Sequence, residues 1–312
     1  VPQERLSDVQ GYGEYFIGYF DILGFKDTVK TCFEKDDSRL DRTVTRVLDT
    51  LPKGFISTFN NSNKYKAPQE NDQDDIVQAF FSDSIFFILK KGRDLETNQS
   101  KFMKLCNLMD AYLRQLLIHF TDNSHFQAPL RGAIASGKAV VKPESKIFYG
   151  PAINDAVELA ESQNWAGAAI HGSVQLELLF KNDINEVVGF DKLLYEYPAI
   201  PLDKNRNRYG SDVKYALNWV RVHTANTTFY RFIEKDKPLA RDVVYHIAKA
   251  GWKGHSEKKN NTILFAVSIC QDFADSKSES YFDSYSKGQS HYLEGAYDQT
   301  GLSDVLRSSS IE

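Results

Sequence analysis

The sequence predicts an α/β fold of the α+β kind, an antiparallel-dominated sheet flanked by helices. Short runs rich in aromatic and β-branched residues recur at 15–20, 76–81, 85–89 and 130–136, the composition of half- or fully buried strands. Between them, apolar residues repeat every three or four positions, most clearly Phe102, Leu105, Leu108, Met109, Tyr112, Leu116 and Leu117, the period of an amphipathic helix. The 312 residues, 42% hydrophobic and 13% aromatic, suffice for one large core or two modest ones.

Residues 15–20 (YFIGYF) run into Asp21-Ile22-Leu23-Gly24-Phe25-Lys26, which reads as a buried strand ending in a glycine turn. Val44, Val47, Leu48 and Leu51 predict a helix ending near Pro52, and residues 60–75 an exposed polar loop. The runs 76–81 and 85–89 flank Ser82-Asp83-Ser84, a hairpin with Asp83 at its tip. Residues 130–136 form a small-residue strand, a second strand leads to Tyr149, and Gly150-Pro151 opens a helix with Ile153, Val157 and Ala160 on its apolar face. Short strands are expected at 168–171 and 187–190, giving a first domain at 14–200. Residues 201–312 read as a mainly helical C-terminal extension, with apolar marks at Phe229, Phe232, Ile233 and 263–270 and a loosely held tail from Ser276.

Lys and Arg number 38 against 42 Asp and Glu, a net charge of −4, so the global positive field that drives nonspecific nucleic-acid binding is missing. Cys32, Cys106 and Cys270 are far apart and make neither a disulfide scaffold nor a cysteine zinc site. Residues 1–12 show no basic segment followed by an apolar one, and the longest apolar runs are too short to cross a bilayer. A soluble, cytoplasmic protein without nucleic-acid or membrane partners is expected.

Asp21 and Asp83 each stand at a strand end beside a turn. An aspartate there ordinarily caps its turn. Two carboxylates about 4 Å apart repel by roughly 4 kcal/mol at an effective dielectric of 20, a penalty that a divalent ion removes. Mg²⁺ and Mn²⁺ prefer such oxygen ligands and keep positions open for substrate phosphates.

YFIGYFDILGF at 15–25, FFSDSIFF at 80–87, LRGAIASG at 130–137 and FYGPAINDAVELAES at 148–162 follow in that order, and together they resemble the catalytic core of class III nucleotidyl cyclases. The resemblance covers about residues 14–175. It implies Asp21 and Asp83 as catalytic metal aspartates, with Ile22 beside them in a site for two Mn²⁺ or Mg²⁺ ions. It also implies Asn154 as the catalytic asparagine on the helix after Gly150. Phosphates would be held by the turn of Ile22, Gly24, Phe25 and Lys26, and attack of the ribose 3′-oxygen on the α-phosphorus would release pyrophosphate. The family takes its aspartates from one subunit and its asparagine from the other, so a homodimer with shared sites is implied.

Purine cyclases carry a transition-state Arg where this chain has Glu158, and their adenine-reading Lys and Asp fall on Ala79 and Ile147. Arg131, Lys138 and Lys142 are candidates for a replacement cation. Strand alternation sets Ala79, Phe81 and Asp83 on one face, with the Phe81 ring where a purine would extend. These changes resemble the pyrimidine cyclases of bacterial Pycsar antiphage systems. UTP, ahead of CTP, is then the implied substrate, and the cyclic product a second messenger read by a separate effector. The alternative is a degenerate cyclase fold that binds a nucleotide or partner without turnover, and a purine cyclase with altered base contacts is disfavoured by Ala79 and Ile147. Gly132 to Lys138 fits GxxxxGK, but no Ser or Thr follows and Pro143 opposes an early helix. The seven histidines, His119, His125 and His171 among them, show no HExxH or short ligand spacing, and no GxSxG elbow occurs.

Overall fold

In the computed structural model, which describes residues 5–36, 41, 44–61, 76–118, 129–189, 192–197, 200–202, 213–220 and 256–275, the centre is β1 (Tyr12–Ile22). Residues 15–20 are all buried, so both faces of the strand are covered. β1 pairs antiparallel with β3 (Ser84–Lys90) on one side and β4 (Leu130–Lys142) on the other. β2 (Val77–Phe81) lies beyond β3, and β5 (Ile147–Tyr149) pairs with the outer half of β4. With β6 (Gly167–Ile170), β7 (Leu194–Glu196) and β8 (Tyr215–Leu217), the order is β2-β3-β1-β4-β6-β8-β7. Among the described residues only β4 and β6 pair in parallel, so the sheet is antiparallel-dominated as the sequence predicts.

Seven helices are described: α1 (Phe25–Glu34), α2 (Leu51–Asn61), α3 (Leu95–Ile118), α4 (Pro151–Ser162), α5 (Leu176–Phe180), α6 (Ile184–Val187) and α7 (Ser256–Asp275). α3 covers the even-numbered face of β1. Phe16 meets Phe102 at 5.6 Å between ring centroids, and Phe20 and Phe87 meet Tyr112 at 5.8 and 5.7 Å. Gly18 is required there, because a Cβ would collide with the Met109 sulfur. The buried Tyr112 hydroxyl donates to the Val47 carbonyl at 2.7 Å, which meets the hydrogen-bond demand of a polar atom in the core.

α4 covers the other face of β1 and β4. Its buried Ala152, Ala156 and Ala160 recur every four residues, and Ala152 lies over Gly137. Small side chains on both partners let the helix approach the sheet closely. The core face of α4 is therefore the alanine stripe, joined by Ile153 and Leu159, while Val157 is only partly buried.

Beyond β4, Phe265 of α7 packs against Trp165 at 4.6 Å, Tyr197 at 5.1 Å, Tyr195 at 5.8 Å and Trp219 at 6.0 Å. The Ala166 N–H donates to the Thr262 hydroxyl at 2.8 Å. The sheet and its core thus draw on residues from both sides of position 200.

The structure departs from the sequence expectations at three places. Arg46–Thr50 forms a π-helical turn that leads directly into α2, so the helix continues through Pro52, which follows the π turn, the kind of local break in the i→i−4 ladder at which a helix accommodates a proline. The strand expected at 187–190 is not formed at its described residues 187–189, since α6 runs to Val187, Val188 makes only an isolated bridge to Leu194, and the strand is β7. β8 supplies a strand where helix was expected. Of the loop expected at 60–75, Asn60 and Asn61 end α2, and the rest, with the apolar marks at Phe229, Phe232 and Ile233 and the tail from Ser276, lies outside the described residues. Gly132 to Lys138 is interior to β4, which a phosphate loop cannot be. Among the described residues no helix is long and apolar enough to cross a membrane.

Candidate active site

Asp21 is the penultimate residue of β1, opposite Ser84 of β3 and Arg131 of β4. Directly opposed residues share a face, so Phe81, Ser84, Asp21 and Arg131 form one row across four strands. Asp83 reaches the same end by another route. It is the second residue of a two-residue hairpin connection whose first, Ser82, has φ +56°, and its carbonyl accepts the Ile22 N–H at 3.1 Å. Asp83 belongs to the turn and not to the strand, so the alternation that grouped it with Ala79 and Phe81 does not extend to it.

Arg131 organises this end. Its Nε donates to Asp21 Oδ2 at 2.8 Å, its Nη2 forms an ion pair with the same oxygen at 2.8 Å, and its Nη1 donates to the Glu161 carbonyl in the last turn of α4 at 3.0 Å. The two side chains are only 17% and 13% exposed. Burial pushes the Asp21 carboxyl above the ordinary carboxylate range, Arg131 opposes that rise, and the charges of Asp83 and Glu161 add to it. Beside the pair, the Tyr19 hydroxyl shares a 2.9 Å hydrogen bond with Ser84, and burial pushes it up to about 12.

The turn after β1 is built differently from the sequence expectation. The Ile22 N–H is bound to Asp83 and the Leu23 N–H donates to the Pro129 carbonyl at 2.8 Å, so neither is offered to a phosphate. Gly24, at φ +74°, starts α1 without a side-chain cap. The N–H groups that point outward there are those of the first helical turn, Phe25 and Lys26 onward, which a helix leaves without intrahelical partners. The Lys26 side chain is exposed.

Asn154 and Glu158 are both exposed and one turn apart on α4. They stand away from the aspartates, because the part of α4 that meets Arg131 is Glu161, seven residues later and about 10 Å along the axis. The start of α4 rests instead on Lys138 and Ala139, against Gly150. One chain therefore brings Asp21, Asp83 and Arg131 together but does not bring Asn154 to them. Next to Asn154, Asp155 lies 3.8 Å from His171 Nδ1, which also meets the Ser173 hydroxyl at 2.7 Å. Burial lowers the imidazole below its ordinary value, while Asp155 and Glu158 oppose the shift. Nothing in the spacing of His171 marks it, and only the parallel β4–β6 pairing brings it to α4.

Ala79 opposes Phe86, which opposes Tyr19 and then Ala133. Ile147 opposes Lys142, nine residues further along β4, so these two positions do not share a row. Phe81 is 81% exposed and Ile147 45%.

Among the described residues no three His, Cys, Asp or Glu side chains converge as a metal-holding group. The donor set at Asp21 and Asp83 still suits Mg²⁺ or Mn²⁺, which characteristically use one or two carboxylates and complete their shell with water and substrate phosphate.

No family profile matches the chain, and no curated protein matches it. Among solved structures, a bacterial light-regulated adenylyl cyclase is similar with 13% identity and a TM-score of 0.42, over 78% of this chain and 59% of that one. The chain thus spans less than two thirds of that structure's length.

Proposed function

We propose that the chain is a pyrimidine nucleotide cyclase, converting UTP, ahead of CTP, to the 3′,5′-cyclic monophosphate and pyrophosphate. The observation that carries this reading is the convergence of Asp21 and Asp83 at the end of β1, by strand register for the first and by the Ile22 to Asp83 hydrogen bond for the second. Two divalent ions at this pair would acidify the attacking 3′-hydroxyl and neutralise the leaving pyrophosphate. Asp21 and Asp83 hold them. The first turn of α1 and Lys26 bind the β- and γ-phosphates.

Asn154 comes from a second copy of the chain, which its separation from the aspartates within one copy supports. The homodimer then carries two equivalent sites, each using the aspartates of one protomer and α4 of the other. The aromatic ring at Phe81 and the apolar side chains at Ala79 and Ile147 favour a small base over a purine. As in the antiphage systems whose cyclases the sequence resembles, the product would act on a separate effector.

A second reading, a nucleotide- or partner-binding protein without turnover, is favoured by one observation: Glu158 stands where a cation would stabilise the transition state, and Arg131 is already engaged with Asp21. Incubation of the purified chain with each of the four nucleoside triphosphates and Mn²⁺, followed by mass spectrometry, separates the readings. Cyclic UMP is expected. No cyclic product from any substrate would favour the binding protein, and faster turnover of ATP or GTP would overturn the pyrimidine assignment alone.

A further inference from the structure

The Arg131 fork does something unusual for a carboxylate clamp. A bidentate arginine commonly spreads its two N–H groups over both oxygens, whereas here Nε and Nη2 both sit 2.8 Å from Oδ2. The third group, Nη1, is anchored on the Glu161 carbonyl, so the guanidinium is held at three points with 17% of its side chain exposed. Around the Asp21 carboxylate the neighbouring charges are of the wrong sign, Asp83 and Glu161. A half-buried carboxylate in such company needs a cation, and the fold supplies one from the adjacent strand.

A divalent ion would need lone pairs of that same carboxylate and would add positive charge beside the guanidinium. With both nitrogens on Oδ2, the oxygen left to a divalent ion is Oδ1, beside a fixed positive charge. We infer that Arg131 is a resident counter-ion for the metal-free site: it holds Asp21 Oδ2 and, as a fixed positive charge beside the position a divalent ion would take, weakens metal binding while steadying the empty protein. This role rests on the two-aspartate metal reading above, and it is separable from it by experiment. It makes Arg131 a positioning residue whose effect is seen in metal affinity without any turnover.

The test is titration of the full chain with Mn²⁺, read by electron paramagnetic resonance of the free ion and by calorimetry, for the parent, Arg131→Gln, Arg131→Lys and Asp21→Asn. An arginine beside an aspartate shifts that carboxyl's ionisation by about 1–3 units, so removing a charge of that strength from beside the ion should let Arg131→Gln bind Mn²⁺ about tenfold more tightly or better. Its metal-free form should melt at a lower temperature than the parent's, with the difference narrowing when Mn²⁺ is added. Arg131→Lys, which keeps the charge without the fork, should fall between the two, and it carries the comparison if the Gln variant does not fold. Unchanged or weaker Mn²⁺ binding in the Arg131 variants, with binding still lost in Asp21→Asn, would overturn the counter-ion role and leave the metal site standing. Mn²⁺ binding that survives Asp21→Asn would overturn both.

Discussion

The two ends of α4 are opposite in character. At its last turn, Glu161 meets a half-buried row in which Asp21, Arg131 and Ser84 are locked by strand register and hydrogen bonds. Over its first two turns, Asn154 and Glu158 are exposed, and the charges of Asp155 and Glu158 act on a single histidine, His171. The first end has the ligands for a cation and a fixed geometry. The second has an amide and a surplus of negative charge but no rigid surround. Neither is a complete site for phosphoryl chemistry, which needs positioned charge on both the attacking and leaving sides. On the proposed reading each end supplies part of one site, and a second copy would bring them together, end against opposite end.

The largest break in this comparison comes from the buried end. Asp21→Asn or Asp83→Asn should lower turnover by more than about a hundredfold with the circular dichroism spectrum unchanged, since each removes a charged ligand from a site that needs both. Activity close to the parent's in either variant would remove the metal role. A smaller effect is expected at the exposed edge. Phe81→Ala should raise turnover of ATP or GTP relative to UTP or CTP by roughly tenfold, the usual scale of discrimination by pocket volume. Because the ring is 81% exposed, stability should stay within about 0.5 kcal/mol. An unaltered base preference would show that Phe81 does not touch the nucleotide.

The smallest effect concerns His171. Its folded-state pKa lies below the ordinary 6.5, so as pH falls the unfolded chain takes up the proton first and stability is lost. The loss begins as pH drops below about 6.5 and ends below the lowered folded value. His171→Gln should flatten that part of the melting-temperature profile. A profile as steep as the parent's would place the acid sensitivity elsewhere.

Much of the first end was legible in the sequence, because strands and tight turns are local signals and Asp21 and Asp83 each stand beside one. The long apolar period of α3 and the Gly150-Pro151 start of α4 were legible for the same reason. What escaped was set by tertiary pairing. The Arg131 to Asp21 bond depends on β1–β4 register across 110 residues, and the His171 contact with α4 depends on the parallel placement of β6. Pro52 misled because a proline ordinarily stops a helix, and the π turn at Arg46–Thr50 that precedes it leaves no mark in the sequence. β8 was missed because a three-residue strand buried between two others carries no period to read. The turn after β1 was legible as a turn, but not that Ile22 and Leu23 would spend their N–H groups on Asp83 and Pro129.

The contrast between the two ends is tested most directly by mixing. Asp21→Asn and Asn154→Ala chains, each inactive alone, are combined in equal amounts, subunit exchange is verified by native mass spectrometry, and cyclic nucleotide formation is measured. Half of the random dimers are mixed, and each mixed dimer gathers both defects in one site and none in the other, so activity should return to about a quarter of the parent's. Verified exchange with no return of activity would contradict a site shared between the two ends of α4.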